Sequence, residues 1–137
     1  MSEKKVLNEI IIHRLTYHII YRFHPPPTKI ELVIDTDSDE AHFSGTYLLG
    51  ASLVNEKPFW SQQNGSHAIW SHEVLYGSVW IIGDLSQLGR FHGKIFVNAD
   101  KNNTYPNTSA PVTFKGIGRN DFESLHNLVT DSFMEHD

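Results

Sequence analysis

The chain has 137 residues, 39% of them hydrophobic and 20% charged, a balance that supports one buried core and argues against disorder. Its formal net charge is −5 and no cluster of Lys and Arg occurs, which removes the electrostatic footprint of a nucleic-acid binder. The absence of cysteine excludes a disulfide framework, thiolate catalysis and zinc–sulfur sites.

The opening MSEKKVLNE lacks the apolar stretch of a signal peptide, and no apolar run reaches the length of a bilayer span, so the expectation is a soluble, cytoplasmic chain, with secretion left open and no membrane contact. In residues 10–24, IIIHRLTYHIIYRFH, the odd positions read Ile11, His13, Leu15, Tyr17, Ile19, Tyr21 and Phe23, apolar apart from His13, and the even positions include Arg14, Thr16, His18, Arg22 and His24. That period of two, rich in β-branched and aromatic residues, predicts a long strand or a bent strand pair. A helix is the alternative, because Ile11, Leu15 and Ile19 also fall four apart. Pro25, Pro26 and Pro27 then impose an extended connection poor in hydrogen bonds. KIELVID resumes the alternation, with Ile30, Leu32 and Ile34 on one face. DTDSDE follows as a solvated acidic loop; it carries Asp35, Asp37 and Asp39 but lacks the Gly and Glu that an EF-hand loop needs at its sixth and twelfth positions.

From Phe43 the turn signals become regular. FSGTYLL reads as a strand, Asn55-Glu56 with Pro58 as a turn, and PFWSQQ as the next strand. Asn64-Gly65 is the strongest hairpin signal, since both residues accept the positive φ of a type I′ turn. HAIWSHE, SVWIIGD and GKIFVNA follow as strands, DKNNTYPNTSAP as a long polar loop, and VTFKGIG as the last strand. Asn120 and Glu123 have capping-box spacing, and Phe122, Leu125, Val129 and Phe133 recur on one face, which predicts an amphipathic helix over 120–135. The expected fold is mainly β: one domain over residues 1–137, an antiparallel meander, sandwich or barrel of seven or eight strands with one C-terminal amphipathic helix. Tyr47, Ile69, Ile82, Phe96, Phe114, Leu125 and Val129 are expected in its core.

Aromatic residues make up 12% of the chain, and Trp60, Trp70 and Trp80 lie ten residues apart on three neighbouring strands. Ten residues per hairpin would bring the three indoles into one row across the sheet, a flat surface suited to stacking on sugars or prolines. The alternative is that they fill the core. FSGTY, VNEKPFW, HAIW, VWIIG and LG, in this order, resemble a small β-rich module of invertebrate and protist proteins. Its loose pattern is G-x-Y, V-N-G-K/R-P followed by an aromatic, Ile/Leu-Trp/Tyr, and W-x-I-G. The matching positions are Gly45, Tyr47, Asn55, Lys57, Pro58, Trp60, Ile69, Trp70, Trp80, Ile82 and Gly83, within residues 43–93. Glu56 departs from the pattern, which has Gly there. The resemblance implies a β-rich fold and no particular activity.

Nine histidines are many for this length, yet His67 and His72, five apart on one strand, face opposite ways. A site joining His72, His92 and Asp84 has the right ligand types for zinc but no spacing that fixes it, so neither metal nor cofactor is expected. No nucleophile motif, zinc-protease motif or phosphate-cradling glycine loop is present. The functional expectation is a non-enzymatic module presenting aromatic residues on a sheet to a carbohydrate or protein partner, with Trp60, Trp70, Trp80, Gln62 and His72 as ligand-binding residues. Two alternatives stand beside it. One is a self-assembling domain, a homo-oligomer pairing through edge strands. The other is a small hydrolase with paired carboxylates at Glu73 and Asp84.

Overall fold

A computed structural model describes residues 25–35, 39–108, 111–118 and 122. The three prolines run extended into β1 (Lys29–Ile34), whose burial alternates because Ile30, Leu32 and Ile34 turn inward while Lys29 and Val33 face solvent. A 3-10 turn over Asp39–Phe43 leads to β2 (Gly45–Leu49), β3 (Trp60–Gln62), β4 (His67–Val74) and β5 (Gly77–Asp84). A second 3-10 turn, Leu85–Gln87, is capped by the Asp84 carboxylate, which accepts the Ser86 N–H at 2.9 Å. β6 (Ile95–Asn98) and β7 (Val112–Ile117) complete the seven described strands.

All neighbouring strands are antiparallel, in the order β6-β5-β4-β3-β2-β1-β7, and the sheet curls into a half-barrel. Six strands therefore form a plain meander, and β7 returns to pair with β1. Every strand contributes to the concave core: Ile30, Leu32 and Ile34, Tyr47, Trp60, Ile69, Trp80 and Ile82, Ile95, and Phe114, joined by Phe43, Tyr105 and Phe122. A smaller convex cluster of Ala68, Trp70 and Ile81 lies under Val54, Phe59 and Leu88 of the long connections. Among the described residues no helix is long and apolar enough to cross a membrane.

The polar loop after β6 touches both edges of the sheet. Ala99 bridges Pro106, and the Asn107 N–H donates to the Asn98 carbonyl at 2.9 Å, which covers one end of β6. At the other edge the Thr108 hydroxyl accepts the Phe114 N–H at 2.9 Å and lies 3.2 Å from the Phe114 carbonyl. Edge groups that could template another strand are thus partly taken within the chain.

Several expectations are corrected. The type I′ turn occurs at Asn55-Glu56, where φ is 52° and 69° and Val54 and Lys57 exchange hydrogen bonds of 2.8 and 3.1 Å. At the expected site only Asn64 has positive φ (58°), and the Gly65 N–H approaches the Gln62 carbonyl at 3.4 Å, so the bend centres on Gln63-Asn64 and is not of the type I′ form. Phe96 is not core but 49% exposed. Ile95 pairs with the inward Ile82, and the period of two then sends Phe96 outward. Tyr47, Ile69, Ile82 and Phe114 are buried as expected. The strand expected over 10–24 lies outside the described residues, as does the helix expected over 120–135 except for Phe122, which is buried against Trp60 and Tyr105.

Candidate functional site

The three tryptophans do not form a row, and none reaches solvent: Trp60, Trp70 and Trp80 are each 0% exposed. Pairing register decides their sides. Trp60 stands opposite Ile69 and Ser71 opposite Trp80, so Trp60 and Trp80 share the concave face with ring centroids 5.8 Å apart. Trp70 stands opposite Ile81 and points to the convex face. An even spacing along the chain keeps no side across a hairpin, because each turn sets the parity of its own register. The Trp60 indole N–H donates to the Pro27 carbonyl at 2.9 Å and that of Trp70 to the Arg90 carbonyl at 2.9 Å. Trp80 Nε1 is buried with no partner among the described residues. These rings fix the core and the loops over it, and the indole platform is withdrawn.

Gln62 is half-buried beside Trp60 on the concave side, its amide lying over Gly45 and Gly65 at the turn end of β3. His72 has the other surroundings. It lies on the convex face of β4, half-buried, with Nδ1 2.9 Å from the Glu73 carbonyl. Its ring meets Phe91 edge-on at 5.2 Å, and Phe91 meets Phe96 at 5.6 Å. Phe91 is 57% exposed and belongs to the connection that crosses β5 between Gly89 and Gly93. That connection lies flat because a Cβ on Gly83 would come within 2.9 Å of the Gly93 Cα. The result is a strip of three aromatic rings, open to solvent, spanning β4 to β6. Of the five residues expected at a ligand site, His72 alone lies in it. Phe91 and Phe96 were missed: one reads as loop, the other as core, and only the outward phase of β6 reveals the second.

The residues expected to support catalysis do not converge. Glu73 pairs with Ser78 while Asp84 pairs with His67, six residues further along β5. That separates the carboxyl-bearing residues by about 20 Å, beyond the span of either glycosidase arrangement. Asp84 instead serves as a turn cap, and its hydrogen bonds with Ser86 hold its carboxyl below the usual range. His67 packs on Phe43 at 4.1 Å with His42 nearby, and burial, then the neighbouring imidazole, lowers its pKa against the pull of Asp84. Among the described residues no group of three His, Asp or Glu is arranged to hold a metal.

A serine–lysine pair invites a catalytic reading, and its polarity argues against one. Lys57 Nζ donates to Ser78 Oγ at 2.7 Å and to the Asn103 carbonyl at 2.8 Å, while Ser78 Oγ donates onward to Asn103 Oδ1 at 2.7 Å. A general base must accept the serine proton, and here that proton is directed to an amide. Both side chains are buried. Burial pushes the Lys57 ammonium down to about 8, opposed by Asp100 and Glu73. The cluster ties the turn at Asn55-Glu56 and the polar loop to β5. Asn55 does the same on the other side, its amide donating to the Ser71 and Gly89 carbonyls at 2.8 and 3.1 Å.

The chain matches no protein-family model, and no curated protein or solved structure is detectably similar to it.

Proposed function

We propose that this chain is a non-enzymatic binding module that contacts a protein partner through the convex strip of His72, Phe91 and Phe96. The observation that carries the reading is the exposure of two phenylalanines in ring contact, at 57% and 49%. Contiguous exposed aromatics are costly in water and concentrate where partners bind. Val74, 40% exposed, extends the strip along β4. Rings tilted at 49° and 65° make a ridged apolar surface rather than the flat face that a sugar stacks on, which favours protein over carbohydrate.

The test is to screen the chain against a displayed peptide library and a glycan array, with Phe91→Ser as the paired control. The proposal expects peptide ligands whose affinity falls at least about tenfold on the variant. Glycan ligands alone, or peptide ligands indifferent to Phe91→Ser, would overturn it.

A further inference from the structure

We propose that the convex strip selects an acidic peptide, one whose apolar anchors are flanked by Asp or Glu. The inference rests on the strip being a protein-binding surface and adds the charge of what it binds. Arg90 and His92 flank Phe91 in the chain, and all three are exposed. The connection that carries them is held on the convex face at both ends. At one end the Arg90 carbonyl accepts the Trp70 indole N–H at 2.9 Å, and at the other the Gly93 Cα lies against Gly83. Lys94 follows, its N–H donating to the Ile82 carbonyl at 3.0 Å. It is exposed and stands two residues before Phe96, a spacing that puts both on one face of the extended chain. Two fixed cations thus border the rings.

The strands beneath supply no carboxylate on this face. Glu73 pairs with Ser78, two residues from Trp80, and Asp84 pairs with His67, two residues from Ile69, so both acids follow the concave phase. The patch is therefore positive in a chain whose net charge is −5. Range decides which of the two a partner feels. Charges in physiological salt act over about 8 Å, so a short peptide seated on the rings responds to Arg90 and Lys94 rather than to the whole molecule. An anionic bilayer extends far beyond that range and meets the net negative charge. Its capture also takes a cluster of about four to eight Lys and Arg, more than border this strip. On the peptide, the rings take the apolar anchors. The cations stand at the rim, where charge sets the choice of partner more than the affinity.

Fluorescence anisotropy of the full chain with three synthetic peptide pools tests this. All three alternate Phe or Leu anchors with a variable position, filled by Asp and Glu in one pool, Ser and Gln in the second, Lys and Arg in the third. At low salt the acidic pool is expected to bind at least about threefold more tightly than the neutral one, and the basic pool most weakly. Raising NaCl to about 0.5 M removes the difference. Arg90→Glu with Lys94→Glu reverses the order, and Phe91→Ser weakens all three pools. Lys29→Glu with Lys115→Glu makes the same change of net charge on β1 and β7, away from the strip, and keeps the wild-type order. Circular dichroism and melting check that each variant folds, as expected for exposed positions. Equal, Phe91-dependent affinity for the three pools, or an acidic preference that survives the Arg90 and Lys94 reversal, would overturn the acidic assignment and leave the protein-binding reading standing. Binding that ignores Phe91→Ser, or no binding of any pool at about 1 mM, would overturn both. So would capture by phosphatidylserine vesicles with no pool bound, which would make the strip a membrane contact.

Discussion

Trp60 and Trp80 occupy one core and differ in the partner of the indole N–H. Trp60 donates to the Pro27 carbonyl, and Trp80 donates to no described group. Substitution by Phe removes the same atoms from both, so the cavity terms are alike. Trp60→Phe also strands a carbonyl, whereas Trp80→Phe removes a donor with no partner among the described residues. Urea unfolding is expected to show Trp60→Phe as the more damaging by about 1–2 kcal/mol; the reverse order would mean that Trp80 has a partner. Lys57 makes a prediction in pH. The unfolded chain holds that proton up to about 10.5 and the folded protein only up to about 8. Between these values the unfolded state binds more protons, so stability rises with pH. Tyr47 and Tyr105 act oppositely, since burial raises both phenols above their ordinary 10 and the folded state keeps protons that the unfolded state sheds. Stability is therefore expected to climb from about pH 8, peak between about 9 and 10, and fall beyond. Lys57→Met should flatten the climb and leave the fall, as read by urea midpoints across that range.

At the scale of elements, two glycines differ in what they permit, in the opposite order to what their sequence surroundings suggest. A Cβ on Gly83 would meet the Gly93 backbone at 2.9 Å and the Trp70 ring at 3.2 Å, so the connection carrying Phe91 would have to lift. A Cβ on Gly65 would meet only the movable Gln62 side chain, and Gly65 does not have positive φ. Gly83→Ala is expected to cost about 1–3 kcal/mol, and Gly65→Ala to stay within about 0.5 kcal/mol of wild type, both by thermal melting. The contrast was not legible beforehand: Gly65 follows Asn64 in the strongest turn signal of the chain, and Gly83 reads as an ordinary strand residue. What the periodicity did reveal were the inward faces of β1 and β2 and the turn at Asn55-Glu56. Tyr47 donates its hydroxyl to the Phe43 carbonyl at 2.6 Å, Asn55 and Lys57 tie loops to β4 and β5, and Gly83 admits the crossing connection.

For the whole molecule, the curl of the sheet decides what is wet. All seven strands close on one concave core that takes in two indoles, and the loops over the convex face cover the third. Iodide is therefore expected to quench the tryptophan fluorescence of the folded protein far less than that of the urea-unfolded chain, with blue-shifted emission before unfolding. Equal quenching in both states would restore the indole platform and remove the core described above. The candidate contact surface belongs to this scale as well. His72, Phe91 and Phe96 come from three separate segments, and no spacing along the chain joins them.

By itself the sequence determined the mainly β class of fold, the alternation along β1, and the absence of a local catalytic motif, because period and turn chemistry act between near neighbours. The tertiary structure decided which face each strand shows to water, which aromatic rings meet, and that Glu73 and Asp84 stand far apart. These depend on register between strands, and a shift of one residue reverses every side chain of a strand while leaving its composition unchanged.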